Sequence, residues 1–216
     1  SIGSTGGIRA AADRAVDLGL VSRPLTARER RLGLTVLPYA RVAVVVAANE
    51  SVPDTNLSRA GLLQLYAGRR TRWSDGSRVT VLQRERGDSS HRAVERVLPR
   101  FRAVNERAHR RGRWRVLYHD RDMQEALLAT PGAVGLFDLG AIVSQELSLE
   151  VLALDGVAPT PDNVRSGAYP LHKDLAFVCR GAPGGAAKRL LRFIHSRAGQ
   201  RVIQSRGYIP LARGLR

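Results

Sequence analysis

The sequence predicts an α/β fold with largely parallel sheets, and three observations carry that expectation. Short apolar runs alternate with helical patterns along nearly the whole chain, the order that lays helices on the faces of a sheet. Two of those runs, Val42 to Ala48 and Leu175 to Cys179, are so continuously apolar that both faces of each strand must be buried, as in parallel sheets. No segment repeats at a fixed period, which sets aside solenoids and propellers.

Taken in order, Gly3-Ser4-Thr5-Gly6-Gly7 leads into a helix over Ile8 to Val16, with Ile8, Ala11 and Ala12 on one face. Asp17 to Ser22 follows as a short strand closed by Arg23-Pro24, since proline biases its predecessor to extended geometry. Thr26 to Arg31 is polar and predicts a short helix, and Leu32 to Pro38 and Val42 to Ala48 predict two strands. Asn49 to Asn56 has loop chemistry. Ser58 then caps a helix carrying Leu62, Leu63, Leu65 and Tyr66, which stops at Gly68. Arg69 to Gly76 forms a turn holding Trp73, and Val79 to Leu82 is a strand. The helix beyond it carries Ala93, Val94, Val97 and Leu98 inward and is restarted or kinked at Pro99.

Val116 to Tyr118 predicts a strand, Asp120 to Ala129 a helix, and Pro131 to Phe137 a turn feeding a buried strand. Val151 to Leu154 is strand-like, and Asp155 to Gly167 is loop-rich. After the strand at Leu175 to Cys179, helices are expected over Gly184 to Ser196 and Gln200 to Ser205. The stretch that draws attention is Arg84 to Arg92, where strand gives way to helix through Gly87. First-turn N–H groups have no partner within a helix, so hydroxyl-bearing residues at such an entrance make an anion site, and Arg84 adds a charged fork that can grip two oxygens. The alternative is structural: Asp88 or Ser89 is simply the N-cap of the next helix.

Composition narrows the function classes. The 216 residues include 35 Lys and Arg against 19 Asp and Glu, a net charge of +16, and only Lys173 and Lys188 are lysines. Such a field attracts anions of any size without defining a site. The basic helix face of Arg92, Arg96, Arg100, Arg102 and Arg107, running on to Arg115, lacks the interleaved aromatics of a stacking platform, so nucleic acid is not expected as a partner. The lone Cys179 lies in an apolar run and cannot form an internal disulfide, which fits a buried inert thiol. The five histidines are scattered and no ligand spacing predicts a metal. No nucleophile-elbow or phosphate-loop motif occurs, so no enzyme is expected and no cofactor is called for.

Several separated stretches together resemble the phosphate-binding subunit of bacterial phosphate ABC transporters, a type 2 periplasmic binding protein. They are Gly3 to Ile8, Val16 to Gly19 with Ser22 to Leu25, Asn56 to Leu62, Tyr66 to Gly68, Trp73 to Gly76, and Arg84-Glu85 with Gly87. Pro131 to Gly135, Ser166 to Leu171, Ser196 to Gln200 and Gly207 to Leu211 complete the set, in family order over nearly the whole chain. The resemblance implies two α/β lobes, residues 1–44 with 170–216 and residues 45–169, that close on a ligand. It implies a non-enzymatic solute-binding protein for a small, phosphate-like oxyanion, serving transport or sensing. An ABC transporter permease is the partner it implies, and a periplasmic or extracellular location, with a membrane anchor upstream as a variant. The alternative function is a binding or scaffold module with a degenerate pocket, using its basic surface on a polyanionic macromolecule.

Carried over by position, Ser4 and its neighbour Thr5 supply hydroxyl donors, Asp17 the ligand-facing carboxylate and Arg84 the charged fork. A carboxylate beside a dianion is unfavourable unless it accepts the proton of hydrogen phosphate, which sulfate lacks; the alternative for Asp17 is a bond to local backbone. The chain departs from the family at Gly87-Asp88-Ser89-Ser90-His91, where the family has Gly-Ser-Gly-Thr-Arg. Asp88 thus replaces a neutral hydroxyl, and Ser89 fills space where backbone approaches the anion. Asp88, Ser89 and Ser90 remain candidate ligand residues, with Asp88 expected to cost affinity unless it turns to cap the helix. The family's opening strand and helix are missing from the sequence, which begins inside a motif. The expected consequences are pairing of the open sheet of the first lobe with another chain, a rearranged sheet, or an upstream segment cut away.

Overall fold

The computed structural model describes residues 3–211 and divides the chain into two compact units. One holds the described residues up to Val42 and from Lys173 onward, and the other is Ala43–His172.

The first unit opens with helix α1 (Gly3–Ala12) and strand β1 (Gly19–Val21). A Cβ at Gly7 would overlap the Leu20 carbonyl oxygen, and one at Gly19 the Gly7 carbonyl oxygen. The two elements therefore touch backbone to backbone, a separation that only a pair of glycines allows. The short helix α2 (Ala27–Arg30) is held by a capping box, in which Thr26 accepts from the Glu29 N–H and Glu29 reaches back to the Thr26 N–H.

Strand β2 (Leu34–Asn49) is a single 16-residue element where two strands were expected. Pro38 interrupts neither its course nor its geometry, because it falls in the more exposed first half, where a missing donor costs little. The second half is buried throughout and belongs to the second unit.

In that unit, β3 (Asn56–Leu57) is followed by α3 (Arg59–Ala67), which runs from the Ser58 cap to Gly68 in the left-handed region. Then come β4 (Thr80–Arg84), α4 (Ser89–Val97) and α5 (Pro99–Arg110), the restart falling at Pro99, where the ring's fixed φ suits a first helical residue. Next are β5 (Arg115–Leu117), α6 (Asp120–Ala129), β6 (Ala133–Asp138), α7 (Leu139–Ser144), β7 (Leu149–Leu154) and α8 (Pro161–Ser166). Helices α7 and α8 were not expected; α8 sits in the stretch read as loop, between a Thr160 cap and Gly167.

The chain returns through β8 (His172–Arg180) and ends its described part with α9 (Gly185–Ile194), α10 (Arg197–Ser205) and β9 (Ile209–Pro210). Strand β1 pairs antiparallel with β8 and β9 with the first half of β2. The core of this unit gathers Ile8, Ala11, Val21, Leu25, Ala176 and Val178. Cys179 is a free, buried thiol, as its apolar run predicts.

The α/β class is observed, with pairing more mixed than expected. In the second unit β4 is parallel to both β5 and β6, and β3 to β7, with β4 and β5 joined through the helices α4 and α5. Strand β2 instead runs antiparallel to β6 and β7, because it enters from the other unit and its continuous apolar run can be buried against any neighbour. Val44, Leu62, Leu65, Phe101, Leu127 and Leu152 are fully enclosed in this unit's core.

Candidate functional site

Strand β4 lies between β5 and β6 with all three pointing the same way, so their carboxyl ends open on one edge. Ligands of parallel α/β sheets bind at such edges, because the loops that follow the strands converge there. Arg84 ends β4, Asp138 ends β6, and Tyr118 to Asp120 follow β5, whose Leu117 is in register with Arg84.

The Arg84 guanidinium is only 8% exposed. It is held by the Asp120 carboxylate through Nη1 and by the Tyr118 carbonyl through Nη2 at 3.2 Å. Asp88 Oδ2 stands 3.7 Å from Nη2 and Glu85 Oε2 3.8 Å from Nε. Among the described residues the buried Nε has no hydrogen-bond partner. Burial works against the charge on Arg84, but the Asp88, Asp120 and Glu85 carboxylates outweigh it and hold the guanidinium above its ordinary pKa. Burial likewise raises the pKa of Glu85, opposed by Arg84 and reinforced by Asp88 and Asp120.

Gly87, at φ 84°, makes the turn out of β4. Asp88 is then the N-cap of α4, its Oδ1 accepting from the Ser90 N–H at 2.9 Å and the His91 N–H at 3.0 Å. The same oxygen lies 3.1 Å from Nδ1 of His91, whose buried ring packs against Tyr66 and Phe101. Asp88 therefore both caps the helix and faces Arg84, and two of the first-turn N–H groups expected to meet an anion are engaged by its own carboxylate. Ser90 is buried with Oγ donating to Asp138 Oδ1 at 3.4 Å, while Ser89 is half-buried beside it.

The other candidates lie in the first unit. Ser4, in the first turn of α1, has its Oγ 3.1 Å from Ser22 Oγ and accepts from the Ser22 N–H at 3.1 Å. Thr5 Oγ1 accepts from Arg23 Nη2 at 3.1 Å, and Arg23 grips Glu29 with two bonds of 2.8 Å. Asp17 is exposed between α1 and β1 and makes no side-chain hydrogen bond or ion pair among the described residues. The structure thus assembles Arg84, Asp88, Ser89 and Ser90 in one unit, while Ser4, Thr5 and Asp17 belong to the other.

Sequence reasoning missed Asp120, Asp138 and Ser22. The signal for Asp120 was topological: parallel β4 and β5 in register put the residues after each strand side by side. Among the described residues no group of three or more His, Cys, Asp or Glu side chains could hold a metal ion. No helix among them is long and apolar enough to cross a membrane.

A sequence model of the PBP superfamily domain matches residues 1–198. The chain belongs to that family. It is 22% identical over 216 residues to the phosphate-binding protein PstS of Borreliella burgdorferi, covering 97% of this chain and 77% of that protein. A local match to phosphate-binding protein PstS 2 of Streptococcus agalactiae serotype V reaches 35% identity over 82 residues, 38% of this chain and 27% of the relative. Among solved structures, a phosphate-bound putative phosphate ABC transporter substrate-binding protein from Clostridium perfringens superposes with a TM-score of 0.82 at 21% identity, covering 97% of this chain and 85% of that one. An ABC-type phosphate transport receptor from Vibrio cholerae gives 0.66 at 21% identity, covering 97% and 86%. At these identities the structural likeness establishes the fold. The resemblance read from the motifs agrees with relatives found both by sequence and by shape.

Proposed function

We propose that the chain is a non-enzymatic solute-binding protein for a small oxyanion of the phosphate type, delivering it to an ABC transporter permease or reporting its presence. The observation that supports this most is the buried fork of Arg84 at the carboxyl edge of β4, the position at which parallel sheets present charge to ligands. The relatives named as phosphate-binding proteins supply the ligand class.

In this reading the anion displaces Asp120, whose side chain is 72% exposed and so gives up an ion pair of small net worth. The unpartnered Nε and the freed Nη1 then grip two oxygens. Ser90 adds a hydroxyl donor in the same unit; the motif resemblance supplies the proposed roles of Ser4 and Thr5 as hydroxyl donors and of Asp17 as acceptor of the proton that hydrogen phosphate carries. Binding needs no cofactor. The proposed location is outside the cytoplasmic membrane, where such a protein meets its solute.

The test is calorimetric titration of the phosphate-stripped chain with phosphate and with sulfate at two salt concentrations. Saturable one-to-one binding of phosphate over sulfate, lost in Arg84→Gln and made less selective in Asp17→Asn, is the expected result. Heat from neither anion, with the chain folded by circular dichroism, would leave Arg84 as a structural ion-pair centre and overturn the proposal.

A further inference from the structure

Away from that edge, the second unit carries a groove of about 470 Å³ between α3 and α5. The volume is within the range of small-molecule sites. Five arginines rim it: Arg69 just past α3, Arg100 and Arg107 along α5, Arg111 at its C-cap in helical geometry, and Arg113 beyond. All five are exposed, and none forms an ion pair with a carboxylate among the described residues. Some exposed arginines elsewhere are neutralised, as in Arg86 with Glu106, Arg121 with Glu125 and Arg165 with Asp162, whereas the five around the groove stand together with no acid among them. The residues lining the groove include no Asp or Glu at all.

The arrangement is linear. Positions 100, 107 and 111 share one face of α5, so their Cα atoms advance by roughly 10 and then 6 Å along the axis. Leu63, Val104 and Ala108 form an apolar floor that keeps water off one side of whatever lies there, which strengthens each charge interaction. Gly68, at φ 69°, has no Cβ to obstruct Arg113, whose guanidinium lies across it and 5.8 Å from the Trp114 ring centre. Trp114 in turn donates its Nε1–H to the Tyr66 carbonyl at 3.0 Å, so its indole is committed to the fold and offers no stacking platform for a nucleobase.

A row of forked cations over an apolar floor, without acids and without free aromatic faces, matches a chain of phosphate groups that carries no bases. We propose that this groove is a second anion site, separate from Arg84, that takes linear condensed phosphates. Each guanidinium can bond two oxygens of a phosphate unit, and a longer chain reaches more of the row.

The experiment follows tryptophan fluorescence in a Trp73→Phe background, so that Trp114 is the reporter, backed by calorimetry on the parent chain, during titration with pyrophosphate, tripolyphosphate and a longer polyphosphate. Orthophosphate is kept saturating throughout so that any site at Arg84 is filled, and the medium holds about 0.15 M salt. Saturable binding that tightens with chain length is expected, with citrate as a compact trianion binding at least tenfold more weakly than tripolyphosphate. Arg107→Ala combined with Arg111→Ala should weaken binding about tenfold or more, while Arg102→Ala combined with Arg110→Ala, on the same helix outside the groove, should change it less than about twofold. Arg84→Gln should leave it unchanged, which separates this site from the proposed solute site. Equal losses from the two double variants, citrate matching tripolyphosphate, or no saturation at that salt would each overturn the proposal.

Discussion

Asp88 shows how one residue can serve two demands. Its Oδ1 satisfies two orphan N–H groups of α4, the capping role the sequence offers, while Oδ2 faces Arg84. Replacing it separates the two roles. Asp88→Ala removes the cap and should cost about 1–2 kcal/mol in urea unfolding, the usual worth of a good N-cap. Asp88→Ser keeps a capping oxygen and restores a neutral group beside the fork. It should hold stability within about 1 kcal/mol while tightening phosphate several-fold in calorimetry; unchanged affinity would mean that Asp88 does not feel the bound anion. Gly19 is a second position where one atom decides. Its added Cβ would meet the Gly7 carbonyl, so Gly19→Ala should destabilise by about 2 kcal/mol or more in the same assay, since backbone cannot yield as a side chain can.

At the scale of elements, the helices that follow β4 and β5 carry the electrostatics of the edge. Asp120, the first residue of α6, sits where a carboxylate suits the helix dipole and also fills the Arg84 fork. Asp120→Asn keeps the shape and removes the competing charge, so phosphate should bind roughly five- to tenfold tighter by titration, about 1 kcal/mol of like-charge repulsion relieved. Weaker binding in that variant would instead make Asp120 an orienting partner of the fork.

The capping box of α2 gives a pH signature. The paired Arg23 bonds, with help from Thr26, bring Glu29 down from its usual 4.5 to about 2. A depressed acid adds stability above its unfolded value and loses it as pH falls through the folded one. The stability difference between the parent and Glu29→Gln should therefore be full above pH 4.5 and close as pH drops toward about 2, on the order of 1–2 kcal/mol by denaturant titration. Of the elements, α5 was legible because Pro99 marks its start and Ser58 and Gly68 bracket α3. Helices α7 and α8 were not, since six residues each are too few to show a helical period.

For the whole molecule, the net charge of +16 means that any anion raises stability somewhat by screening and weak association. A specific site adds a saturable term that grows with the logarithm of ligand concentration. Thermal unfolding in matched series of phosphate and sulfate should diverge, with phosphate giving the larger rise, and the gap should vanish in Arg84→Gln.

The division between sequence and structure falls along the range of the interactions. The starts and stops of the longer helices such as α3 and α5, the buried strands and the glycine turn before α4 are local chemistry, and the sequence alone determined them. That Leu32 to Ala48 is largely one strand through Pro38, that Asp120 fills the fork 36 positions after Arg84, and that five arginines rim an acid-free groove were decided only by the tertiary structure. Each depends on which strands lie side by side and which helices pack together, and that placement is a property of the whole core.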